Sequence, residues 1–264
     1  MTYANSPAGT TTADGDADVT SGLAEGQGPP PAARPRRGKS WWRRPWMAPL
    51  GFVTVLFLAF SLPPYFTGDP ARARVPQPEG FPAHYPLLVA HVMFASVAMV
   101  TCFLQVWPWF RRRHPVAHRY TGRVYVFAGV LPAGLSALVI GARTPFGPML
   151  MVSDVIGAIL WLSFTVAGYR MARQRRYAEH RRWMLRSFTS TFSIITNRVW
   201  IVVFTIALTP QLDTTFQGNQ TWLAWTISGL SGWLGWTVPL LVVEWWLERG
   251  NPARRRAKAR AATA

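Results

Sequence analysis

Apolar residues fall along the chain in six stretches, roughly 46–66, 87–110, 122–142, 149–170, 183–208 and 222–247. Each is near or above the ~20 residues that carry a helix across a ~30 Å hydrocarbon layer. Pro- and Gly-bearing segments separate them, notably Pro70 to Pro86, Arg143 to Pro148 and Thr209 to Thr221. Trp41, Trp42, Trp46, Trp107, Trp109, Trp222, Trp245 and Trp246 fall at the ends of the stretches, where amphipathic rings settle at headgroup level. The pattern predicts an all-α, polytopic membrane protein with six transmembrane helices.

Residues 1–40 are rich in Ala, Gly, Thr and Pro and hold almost no large apolar residue. Such a segment buries too little surface to offset its chain entropy, so a disordered tail is expected. The long polar lead and the long first apolar run argue against a cleaved signal peptide. The expected organisation is a tail over 1–40, a transmembrane domain over 41–248 and a basic tail over 249–264.

Charge sharpens this picture. The 264 residues carry 28 Lys+Arg against 11 Asp+Glu, a net +17, yet half of them are hydrophobic and 14 are Trp. A nucleic-acid-binding domain would explain the charge but not the apolar mass. The single cysteine, Cys102, excludes a disulfide framework, a Cys-rich zinc site and a CxxC redox pair. Sorted by loop, twenty-four of the basic residues fall on one side of the six-span scheme. Only Arg72, Arg74 and Arg143 fall on the other, and Arg198 lies within the fifth span. The excess of positive charge on inner loops then places both termini in the cytoplasm, in a plasma membrane. The basic loops are expected to meet anionic lipid headgroups, not nucleic acid.

Helical periodicity sorts the polar residues onto faces. In span 2, His84, His91, Ala95, Ala98, Cys102 and Gln105 share a face. In span 3 the face is His118, Gly122, Tyr125, Gly129, Pro132 and Ser136, with Gly122 and Gly129 spaced to admit a neighbouring backbone or a flat ligand. Asp154 in span 4 stands above Gly157, Ala158, Trp161, Thr165 and Gly168. Span 5 is the most polar, with stripes of Arg186, Thr189, Ser190, Ser193, Asn197 and of His180, Ser187, Thr191, Arg198. Spans 2 to 5 are therefore expected to form a four-helix core, and the small residues of span 6 (Ser228 to Gly232, then Gly235) a packing face.

Depth groups these residues into two clusters. Arg198 lies about 22 Å along span 5, roughly 8 Å short of the far surface. His91 and Asp154 reach a similar depth from their own ends, so His91, Asp154, Asn197 and Arg198 are expected to meet, with Asp154 and Arg198 pairing to offset the cost of charge in lipid. At the basic surface, His118, His180, Arg123, Arg186 and Glu179 form a second expected cluster. An interfacial, purely structural role for its histidines is the simple alternative.

The segments His91-Val92-Met93-Phe94-Ala95, His118-Arg119-Tyr120-Thr121-Gly122-Arg123-Val124-Tyr125-Val126 and His180-Arg181-Arg182-Trp183-Met184-Leu185-Arg186-Ser187 resemble a bacterial family of predicted membrane proteins, the domain of unknown function 2306 family. The resemblance covers about residues 85–205 and leaves spans 1 and 6 outside. It implies a membrane protein and marks His91, His118, Arg123, His180 and Arg186 as residues to test.

Two functional readings follow. The first is a haem-b protein passing electrons, with His118 and His180 on the iron, Arg123 and Arg186 near the propionates, Gly122, Tyr125 and Gly129 against the macrocycle, and His91 as an outer ligand. The second is a non-redox protein, transporter-like, a sensor or an assembly component, whose polar cavity at His91, Asp154 and Arg198 binds an anionic or amphiphilic small molecule. Hydrolase and nucleotide-binding signatures (G-x-S-x-G, H-E-x-x-H, a Walker loop) are absent.

Overall fold

The computed structural model describes residues 46–249. The N-terminal tail, Trp41 and Trp42, and the basic tail beyond Arg249 lie outside the described residues. Among the described residues the chain is all helical: α1 (Met47–Ser61), α2 (Pro63–Phe66), α3 (His84–Val106), α4 (Pro108–Arg113), α5 (Pro115–Val124), a π-helical segment (Tyr125–Val130), α6 (Leu131–Gly141), α7 (Pro148–Arg173), α8 (Tyr177–Leu208) and α9 (Gln220–Arg249).

Five helical runs are long and apolar enough to cross a membrane: His84–Val106, Pro115–Gly141, Pro148–Arg173, Tyr177–Gln211 and Gln220–Arg249. The protein is thus a polytopic membrane protein. The first apolar stretch differs from expectation. Its helix α1 has 15 residues and is followed at once by Pro63 and Pro64. Prolines there lack the N–H groups that would carry the hydrogen-bond ladder onward, so α2 starts as a separate turn. At 1.5 Å per residue α1 covers about 22 Å, less than a hydrocarbon layer.

The other runs begin earlier or end later than the apolar pattern marks. Pro115 stands in the first turn of α5, where its missing N–H costs nothing. The segment His118 to Arg123 is therefore helical and continuous with the span. The π-helical segment ends just before Pro132. That proline cannot bond the carbonyl of Ala128 and its ring crowds it, so a wider turn ahead of it relieves the clash. With 32 residues, α8 is about 48 Å long, so one end extends well beyond a hydrocarbon layer. That end carries Glu179, Arg181 and Arg182, which suit a wet environment.

Helices α3, α5–α6, α7 and α8 form a closed ring of neighbours, as expected for spans 2 to 5. α9 packs on α7 and α8 from outside the ring, and α1 rests on α3. The core is built from the small and aromatic residues that periodicity places inward: Ala98 and Cys102 of α3, Tyr125, Val126 and Val130 of the π-helical segment, Ala133 of α6 and Trp161 of α7. Small residues set the helix spacing. A Cβ added to Gly129 would lie 2.9 Å from the Cα of Ala98, and one added to Gly235 would lie 2.8 Å from the Cβ of Asn197. The first contact brings the backbones of α3 and the π-helical segment together. The second seats α9 against the polar stripe of α8.

Hydroxyl groups then tie the ring at mid-height. The Tyr125 hydroxyl lies 2.5 Å from Ser187 Oγ and 2.8 Å from Thr191 Oγ1. Trp161 Nε1 donates to Thr191 Oγ1 at 3.0 Å, and Thr165 Oγ1 lies 2.6 Å from Ser187 Oγ. Three helical runs share this network, and Tyr125, Thr165 and Ser187 are fully buried. In lipid each of these groups must find a partner inside the protein.

Candidate functional site

The polar residues at the Arg-poor end of the bundle meet on one cavity. Its volume is about 560 Å³, within the range of small-molecule sites. His91 comes from α3, Asp154 from α7, and Asn197 and Arg198 from α8. The expected outer group of four residues is thereby brought together. Ring closure places it: α3 and α8 both border the same interior, and Gly141 of α6 packs so closely on Asp154 that an added Cβ would lie 2.8 Å from its Cβ.

His91 is oriented by its Nδ1, 2.9 Å from the Ala133 carbonyl oxygen. A carbonyl only accepts, so Nδ1–H donates, and the neutral ring leaves Nε2 as an acceptor. Asp154 and Arg198 do not form the expected ion pair. Both border the cavity, and no carboxylate among the described residues lies within salt-bridge distance of Arg198. Depth along two helices fixes the height of each residue but not the lateral direction of its side chain.

Among the cavity residues that the sequence pattern does not group with this site are Tyr65 of α2 and Arg74 of the following loop. Arg74 Nη2 donates to the Phe60 carbonyl at 2.8 Å, and its guanidinium lies 3.8 Å from the centre of the Phe60 ring. The one signal available was Arg74 itself, one of three basic residues on the Arg-poor side. The cavity floor is apolar or weakly polar, with Met99 and Trp161 near mid-height.

The expected second cluster does not assemble. Arg186 pairs bidentately with Glu244 of α9, its Nη2 2.8 Å from Oε2 and its Nε bonded to Oε1. Arg182 reaches Glu248 of α9 at 3.0 Å, and Glu179 pairs with its neighbour Arg176 at 2.5 Å. Arg123 is exposed, and its guanidinium lies 5.4 Å from the Tyr120 ring centre on its own helix. His118 and His180 share no hydrogen bond. His180 Nδ1 is 2.8 Å from the Gly168 carbonyl oxygen, while His118 Nδ1 is buried without a hydrogen-bond partner.

These placements do not fit a haem between His118 and His180. The small-residue face at Gly122 and Gly129 admits a backbone, not a flat ligand. A Cβ on Gly122 would meet Gln105 Oε1 at 3.4 Å, and Gly129 lies against Ala98. Gln105 closes that face further, donating from Nε2 to the His118 carbonyl at 2.9 Å and to Thr121 Oγ1 at 2.5 Å. Tyr125 is spent on the hydroxyl network and Arg186 on Glu244.

Residues 88–247 match the model of a family described as Predicted membrane protein (DUF2306). The match covers more than half of the chain, so the chain belongs to this family. It extends past the expected end at 205 and takes in α9 as far as residue 247, including Glu244. No curated protein and no solved structure matches the chain.

Proposed function

We propose that the protein is a non-redox integral membrane protein that holds a small molecule in the cavity between α3, α7 and α8, as a transporter-like, sensing or assembly component. One observation carries this reading: His91, Asp154, Asn197 and Arg198 come from three different helices and border a single cavity of about 560 Å³. Ionisable groups at membrane depth are costly, and facing a cavity is the arrangement in which they serve binding. The haem-b reading has less support, because α3 packs into the face that a macrocycle would need.

In the same reading the chain sits in a plasma membrane with both termini cytoplasmic, and α1 with α2 acts as a first, broken span. The Arg-rich helix ends then meet anionic headgroups. Reporter fusions at each terminus test the orientation, with opposite locations of the two termini contradicting it. The binding reading is tested by purifying the protein in mild detergent and extracting what it retains. A stoichiometric small molecule is expected, released by Arg198→Gln or Asp154→Asn. Protein that is folded and retains nothing overturns the reading.

A further inference from the structure

An acidic and a basic side chain, Asp154 and Arg198, border the cavity and neither has a direct ion-pair partner among the described residues. Asp154 on α7 and Arg198 on α8 both line the cavity without a salt bridge between them, and no hydrogen bond from the protein reaches either side chain among the described residues. The groups that face the same space are His91, Tyr65 and Arg74. His91 offers an acceptor at Nε2 when neutral. Arg74 is already engaged with the Phe60 carbonyl and ring.

An anionic ligand would satisfy Arg198 but would bring a second negative charge toward Asp154. A cationic ligand would do the reverse. A ligand that carries both charges offers a partner to each residue and adds no net charge to the low-dielectric site. Below these charges the wall is apolar, with Val92, Ala95 and Met99 of α3 running over about 10 Å at the helix rise.

Building on the cavity-binding reading above, we propose that the ligand is a zwitterionic amphiphile. Its ammonium group lies at Asp154 and His91, its phosphate or carboxylate lies at Arg198 and Asn197, and its apolar chain follows α3 toward Met99. Asn197 is suited to the anionic end because its amide donates and because Gly235 of α9 fixes its position. The charges of the site thus select a headgroup, and the α3 wall selects the chain.

Competition in detergent-purified full-length protein tests this. The probes are lysophosphatidylethanolamine, lysophosphatidylglycerol, a fatty acid of the same chain length, and phosphoethanolamine without a chain; diacyl phosphatidylethanolamine separates bilayer lipid from single-chain amphiphile. Wild-type protein is expected to bind the ethanolamine lysolipid about tenfold more tightly than the glycerol one, since charge-assisted hydrogen bonds at both ends are made only by the former. Phosphoethanolamine alone is expected to bind poorly. Asp154→Asn is expected to erase the headgroup preference, and Arg198→Gln to weaken all phosphate-bearing probes. Equal or tighter binding of the anionic lysolipid or the fatty acid overturns the zwitterion proposal while leaving the cavity reading standing. Folded protein that binds none of the probes and retains no small molecule overturns both. The wild-type probe series decides the matter even if a variant fails to fold.

Discussion

Asp154 and Arg198 project from adjacent helices, α7 and α8, onto one cavity without meeting in an ion pair. Breaking a buried ion pair by removing one partner costs about 3–5 kcal/mol, and removing both restores much of it. A pair held apart behaves otherwise. Asp154→Ala and Arg198→Ala are expected to be additive in stability to within about 1 kcal/mol, measured by thermal unfolding in detergent. Strong rescue in the double variant would show a structural ion pair.

The hydroxyl network at mid-height predicts a graded response. Tyr125→Phe keeps the ring and removes the hydroxyl, while Ser187 keeps Thr165 and Thr191 keeps Trp161 as partners. Interhelical hydrogen bonds in membrane proteins average about 0.6 kcal/mol, so the loss should be about 1 kcal/mol. Tyr125→Ala also empties a fully buried volume and should cost about 3–5 kcal/mol. Equal effects of the two substitutions on unfolding would place the weight on the hydroxyl alone.

Two glycines on one face should differ. At Gly129 a new Cβ meets the Ala98 backbone at 2.9 Å, which has no room to yield. At Gly122 it meets the end of the Gln105 side chain at 3.4 Å, which can move. Gly129→Ala is therefore expected to lose about 1–3 kcal/mol by overpacking, and Gly122→Ala less than about 1 kcal/mol. Equal loss at both positions, read from unfolding curves, would contradict the close approach of α3.

The closed face between α3 and α5 also makes a spectroscopic prediction. Protein purified after haem-replete expression is expected to show no Soret band in either the oxidised or the reduced state. A stoichiometric band lost in His118→Ala and His180→Ala would restore the haem reading.

Much of the fold follows from local pattern. Ala98, Cys102, Tyr125, Trp161, Thr165, Ser187 and Thr191 lie inward because helical periodicity puts the small and polar residues of each span on one face. The ring of spans 2 to 5 follows because those faces have no use in lipid. Helix starts were also legible in part, since Pro115 and Pro148 each stand in the first turn of a helix. What local pattern does not hold is lateral placement. Asp154 and Arg198 line one cavity yet form no salt bridge. Depth along α8 groups Arg186 with the histidines, yet it meets Glu244, because α9 docks on α8 through Gly235 and carries its carboxylates to that spot. Arg74 and Tyr65 reach the cavity through a loop whose path no periodicity encodes.

The most direct measurement is native mass spectrometry of the full-length protein beside a variant that fills the cavity. Ser96 borders the cavity, and Ser96→Phe would occupy space there while sparing His91, Asp154 and Arg198. Wild-type protein should carry one bound small-molecule mass that the variant lacks, with both proteins unfolding at similar temperatures. The same mass on both proteins, or on neither, would contradict the assignment of the cavity as the binding site.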